Sequence, residues 1–169
     1  MFKSKYYILK LIETAGGKVG GRKRLQKLTY IMKNLGFPVP IDFIYHRYGP
    51  YSPELSATIS DLNALGLLKE NHKNQIYEYE ITREGKGFLR LLEKKNLIKK
   101  YAVPKKLNKA VGFISQQDPS LLELASTVIF LREYGESYKD ACDEALKLKP
   151  HLSDYLANAK DFIHNLEEK

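Results

Sequence analysis

The stretch Arg22–Ser52, RKRLQKLTYIMKNLGFPVPIDFIYHRYGPYS, constrains the fold most, because it joins an amphipathic helix, a break and the start of a second helix. In Arg22–Leu35 the apolar residues Leu25, Leu28, Ile31, Met32 and Leu35 recur at helical spacing, while Arg22, Lys23, Arg24, Lys27 and Lys33 fall off that stripe. One face is therefore expected to enter a core and the other to carry positive charge. Gly36 closes the helix, and Phe37-Pro38-Val39-Pro40 cannot continue it. Asp42–His46 alternates like a short strand, and Gly49-Pro50 reads as the turn after it. Ser52 and Pro53 suit the cap and first position of the next helix.

The flanking sequence extends this plan. A helix is expected over Lys3–Ala15, with Ile8, Leu11, Ile12 and Ala15 inward, and Gly16–Gly21 reads as a flexible or tightly turned connection. Helix three, Pro53–Leu65, turns Leu55, Ile59, Leu62 and Leu65 inward. Leu67–Glu70 and Gln75–Ile81 read as two strands about a polar tip, Asn71–Asn74. Thr82 caps a further helix to about Glu93, whose first turns Gly85 and Gly87 weaken. Helices followed by a two-stranded hairpin make a winged-helix-like domain over residues 1–93. Residues 94–118 read as a lysine-rich linker or arm, since KKNLIKKYAVPKKLNK holds seven lysines and no acid. Residues 119–169 form an acidic C-terminal segment of three helices, the first capped by Asp118 and apolar around most of its circumference, the next starting at Ser137. The expected fold class is mainly α (α+β).

Charge divides the chain in the same place. Of the net +8, residues 1–118 contribute +12 and residues 119–169 contribute −4. A positive field attracts nucleic acid, an anionic membrane or an acidic protein alike. The most apolar run, LLELASTVIFL, contains Glu123 and is shorter than the roughly 20 residues of a membrane span, so no membrane association is expected. A lone Cys142 fits a reducing compartment, and the expected location is cytoplasmic.

No catalytic or metal-binding constellation emerges. His46, His72, His151 and His164 fall in four separate elements without helix-face spacing, and the glycine-rich loop lacks the GK[ST] ending of a phosphate loop. No enzyme activity, metal or cofactor is expected. The candidate nucleic-acid-binding residues are Arg22, Lys23, Arg24 and Lys27 on helix two, Arg47 in the aromatic turn, Lys69 and Lys73 beside the wing, and Lys105 and Lys106 in the arm. Tyr45, Tyr48 and Tyr51 are candidate partner-binding residues, although a structural corner would use the same tyrosines. The third helix faces outward with Glu54, Ser56, Ala57, Ser60, Asp61 and Asn63 and carries no Lys or Arg, which disfavours it as a reader of the major groove.

Leu25-Gln26-Lys27-Leu28 with Tyr30, then Tyr45 and Tyr48-Gly49-Pro50-Tyr51-Ser52 with Leu55, resemble the YwgA-like small proteins of bacteria and archaea. More distantly they are similar to the Panacea (SocA-type) antitoxin domain. The resemblance covers roughly residues 1–90. It implies a helical, winged-helix-like domain, and the antitoxin domain implies neutralisation of a partner toxin. It supplies no catalytic residues. Two functions follow as expectations: a non-enzymatic DNA-binding protein, as in transcription regulation, or an antitoxin-type module that grips another protein. Either form is compatible with a homodimer.

Overall fold

The computed structural model describes residues 2–168. Helix α1, Phe2–Thr14, is buried around nearly its whole circumference, with Tyr6, Ile8, Leu9, Leu11 and Ile12 fully enclosed, so it forms the centre of the N-terminal half. The Tyr6 hydroxyl donates to Glu93 at 2.8 Å and accepts the Tyr101 backbone N–H at 3.0 Å, which fastens α1 to the chain that follows residue 93.

The glycine-rich loop is ordered as strand β1, Lys18–Gly20, a correction to the expected connection. It pairs antiparallel with β5, Ile76–Ile81, which in turn pairs with β4, Leu68–Lys73, in a three-stranded sheet of order β1-β5-β4. The hairpin is present, but its tip is Asn74-Gln75 rather than Asn71–Asn74. Both tip residues take positive φ, 49° and 65°, as a two-residue loop between twisted strands requires. His72 stacks on its cross-strand partner Tyr77 with ring centroids 4.4 Å apart, which extends the ladder through residues that look turn-like in sequence.

Helix α2, Arg22–Asn34, leads to a second small sheet, β2 (Ile44–His46) paired antiparallel with β3 (Gly49–Tyr51). The turn is Arg47-Tyr48, while Gly49 and Pro50 belong to the returning strand, another correction. Gly49 has φ +91°, and a Cβ there would lie 2.8 Å from Thr127 Oγ1, so the strand passes closer to its neighbour than any side chain permits.

Helix α3, Pro53–Ala64, starts as expected with the Ser52 hydroxyl accepting the Leu55 N–H at 3.0 Å. Its Leu65, expected inward, lies just past the helix and is 61% exposed. Helix α4, Arg83–Lys94, is capped by Thr82. A Cβ on Gly85 would meet the Leu67 carbonyl oxygen at 2.1 Å, so that glycine permits close approach of α4 to the strand rather than merely weakening the helix.

The second half of the expected linker is helix α5, Lys105–Ser115, which buries Leu107, Ala110, Val111 and Ile114. Its short apolar stripe was hidden in sequence by the lysines around it. Helices α6 (Pro119–Glu133), α7 (Tyr138–Leu148) and α8 (Leu156–Glu168) follow, with a 3-10 turn at Pro150–Tyr155. Helix α6 is buried continuously from Leu121 to Phe130 because α2, β3, α7 and α8 surround it. One hydrophobic cluster runs from α1 to α8. Among the described residues no helix is long and apolar enough to cross a membrane.

Candidate binding site

Helix α2 turns much of its positive face inward. Lys27 is 1% exposed, and its ammonium donates to the Pro50 carbonyl at 2.7 Å. Proline offers no N–H, and its carbonyl, buried beneath the hairpin, needs a donor that α2 supplies. The neighbouring Gln26 amide donates to the Ser52 carbonyl and to Ser56 Oγ, each at 3.0 Å, and accepts the Ser52 N–H at 2.9 Å. The LQKL and YGPYS segments are thus two halves of one clamp: Gln26 and Lys27 hold the strand and helix start that Pro50 and Ser52 define.

Beneath the clamp lies Glu123 of α6, a carboxylate only 2% exposed. It is ion-paired with Lys23 and, at 2.9 Å, with Lys149, whose ammonium also donates to the Arg47 carbonyl at 2.8 Å. Burial raises the carboxyl's pKa, but the hydrogen bonds and charges of Lys23 and Lys149 outweigh it and hold Glu123 below the ordinary carboxylate value. Lys27 experiences the opposite balance. Desolvation, reinforced by Lys23 and Lys149 and only partly offset by Glu123, brings its pKa down to about 7. Three lysines therefore gather around one carboxylate.

Above this cluster a cavity of about 570 Å³ opens between α2, the β2–β3 hairpin, α3 and β5. Arg22, Lys23 and Lys27 line it together with His46, Tyr48 and Tyr51, and no carboxylate does. Arg22 lies 3.6 Å over the Tyr77 ring and donates to the Tyr79 hydroxyl at 3.3 Å, with Glu70 3.9 Å away. Lys23 sits 5.3 Å from the Tyr48 ring centre, and the His46 and Tyr51 rings are 4.8 Å apart.

The sequence-derived candidates divide accordingly. Arg22, Lys23, Lys27, Tyr48 and Tyr51 come together at the cavity, but Lys27 is a buried strut rather than a surface cation, which corrects its assignment to a phosphate-facing surface. Arg24 is also engaged internally, donating to Gly20 O at 2.6 Å and Gln117 O at 3.0 Å, so it ties α2 to the end of α5. Tyr45 packs towards Phe130, with ring centroids 5.8 Å apart, and Arg47 projects from the hairpin tip. Lys69, Lys73, Lys105 and Lys106 are exposed and do not line the cavity. Sequence reasoning missed the parts played by Glu123 and Lys149. A lone carboxylate inside LLELASTVIFL was the available signal, because a charge on a helix buried all round requires a partner.

No protein-family model matches the chain. A 93-residue segment, 53% of the chain, is 38% identical to an uncharacterised protein of Bacillus subtilis (strain 168), YwgA. The match spans 55% of that protein, so the chain covers about half the length of the curated relative it matches.

Proposed function

We propose that this chain is a non-enzymatic interaction module of winged-helix-like build that grips a partner protein, in the manner of an antitoxin domain, through the exposed side chains of the β2–β3 hairpin. The observation that carries this reading is the contrast between the hairpin's exposed side chains and its fixed backbone. Ile44, Tyr45 and Tyr48 are 55%, 40% and 50% exposed, whereas the backbone beneath them is held by Lys27 at Pro50, Gln26 at Ser52 and Lys149 at Arg47. A large apolar side chain on a pre-ordered backbone loses little entropy when a partner covers it, and tyrosine adds a hydroxyl that tolerates both water and an interface. The diversion of Lys27 and Arg24 to internal partners supports a protein partner over a phosphate backbone. A reducing, cytoplasmic setting fits the buried Cys142.

A photo-crosslinking amino acid at position 48 in the full chain, activated in cells, tests the assignment. A discrete protein adduct that disappears on adding Tyr45→Ala is the expected result. Adducts that nuclease removes would overturn it in favour of nucleic acid.

Nucleic-acid binding is retained as a second reading on one observation. The element order α1-β1-α2-β2-β3-α3-β4-β5-α4, with a three-stranded sheet and a hairpin carrying exposed Lys69 and Lys73, supports a winged-helix-like reading in which β2–β3 is an insertion between the second and third helices. Binding of this kind would run through the wing, Lys105 and Lys106 rather than α3, which presents Glu54 and Asp61 to solvent. It would position the protein on phosphates with little base readout.

A further inference from the structure

We propose that the cavity between α2, the β2–β3 hairpin and α3 binds a planar ring carrying a phosphate, of mononucleotide size, with the phosphate at Arg22 and Lys23 and the ring against Tyr48 and His46. This goes beyond the protein-partner reading and does not depend on it: the two share Tyr48 at the hairpin tip, but the cavity uses neither Ile44 nor Tyr45.

Three observations converge. The first is charge: Lys23, Lys27 and Lys149 surround the single carboxylate of Glu123, and the cavity lining adds Arg22 without adding an acid. Glu70, 3.9 Å from Arg22, and Glu123 offset part of this charge, but the cations outnumber the two acids, so an anion entering the cavity meets a net positive field in a partly desolvated setting. The second is donor geometry. The Arg22 side chain is 61% exposed and the Lys23 side chain 34% exposed, and both line the cavity although each already has a protein contact. Lys27, at 1% exposure, lies beneath and is engaged by the Pro50 carbonyl, so it is not a direct contact for the anion. A planar guanidinium beside an ammonium suits a phosphate better than a single carboxylate oxygen.

The third observation is the aromatic wall. Tyr48 is half exposed at the rim, the His46 and Tyr51 rings are 4.8 Å apart, and the Tyr51 hydroxyl meets Ser56 Oγ at 3.0 Å. Aromatic faces of this kind accept a flat ring by stacking regardless of its substituents, which predicts weak discrimination among bases. The volume, about 570 Å³, lies inside the range of small-ligand pockets, about 300–1,000 Å³. The same chemistry is available from a free mononucleotide or from the 5′-phosphorylated end of a strand.

Calorimetric titration of the full chain with AMP, GMP, CMP and UMP, alongside adenosine and inorganic phosphate, is the test. All four mononucleotides are expected to bind within about tenfold of one another, and at least about tenfold more tightly than adenosine or phosphate alone, as follows from two cooperating contacts. Arg22→Gln and Tyr48→Leu should each weaken binding about tenfold, with the melting temperature checking that both variants are folded. Equal binding of adenosine and AMP would overturn the phosphate assignment, and equal binding of inorganic phosphate would overturn the ring assignment. Absence of binding at millimolar concentration, or amide shifts on AMP addition that bypass residues 22, 23, 46 and 48, would overturn the site. A 5′-phosphorylated trinucleotide compared with its unphosphorylated form separates the sources. Preference for the phosphorylated strand over AMP identifies a strand end, and the reverse identifies a free nucleotide. Tyr45→Ala, which tests the protein-partner reading, should leave AMP affinity unchanged.

Discussion

Lys149 and Glu123 form an ion pair at 2.9 Å in which each side chain is only 2% exposed, and the same lysine reaches the Arg47 carbonyl at 2.8 Å. One ammonium thus joins the end of α7 to the middle of α6 and to the tip of the β2–β3 hairpin. The C-terminal helices hold the aromatic turn in place, and their acid is part of the core.

Removing that acid should be costly. Glu123→Gln keeps the shape but leaves Lys23, Lys27 and Lys149 without a counter-charge, and breaking a buried pair on one side typically costs about 3–5 kcal/mol. Urea unfolding at pH 7 should register a loss of this size. A loss below about 1 kcal/mol would mean that the cluster is hydrated and worth no more than a surface pair.

The Lys27 ammonium gives stability an unusual pH dependence. Its pKa is about 7 in the folded chain, against an ordinary 10.5, because burial disfavours the charge. Between those values the unfolded chain binds more protons, so this group's contribution makes the fold more stable as pH rises from about 7 to about 10.5, by up to about 1.4 kcal/mol per pH unit. Lys27→Met lacks the effect. The stability difference between wild type and the variant should therefore move in favour of wild type on going from pH 7 to pH 9.5, and parallel curves would contradict the assignment.

Two glycine substitutions should act in opposite directions. Gly49→Ala forces a side chain into φ +91° and against Thr127, and should destabilise by about 1–3 kcal/mol while loosening the hairpin. Gly112→Ala, inside α5 with nothing within 4 Å of the added carbon, should stabilise by about 0.5–1 kcal/mol. Thermal melts of the pair provide the comparison.

If the chain also binds duplex DNA, Lys69→Ala and Lys73→Ala should each flatten the slope of log K against log salt by about 0.9, the value of one phosphate contact. Lys27→Met should leave the slope alone, since that ammonium is enclosed. A slope altered by Lys27→Met but not by the wing substitutions would place DNA at the cavity instead.

Local patterning by itself determined most of the helices and four of their caps. Ser52, Thr82, Asp118 and Ser137 each cap the helix that follows them through a side-chain oxygen, and the apolar stripes of α2 and α3 name most of their buried residues. These features depend on neighbours within a few positions, which a single sequence displays directly. Strand β1 was not legible, because three residues between glycines become a strand only when β5 lies alongside. Helix α5 was obscured by lysines that point to solvent while Leu107, Val111 and Ile114 enter the core. The direction of the charges was decided only by tertiary structure. Lys27 looks like a surface cation on a helical wheel, and it is buried because Pro50, Glu123 and Lys149, distant in the chain, close over it. Helical periodicity states which face a residue occupies, but whether that face meets water or a carboxylate depends on chain segments about a hundred residues away.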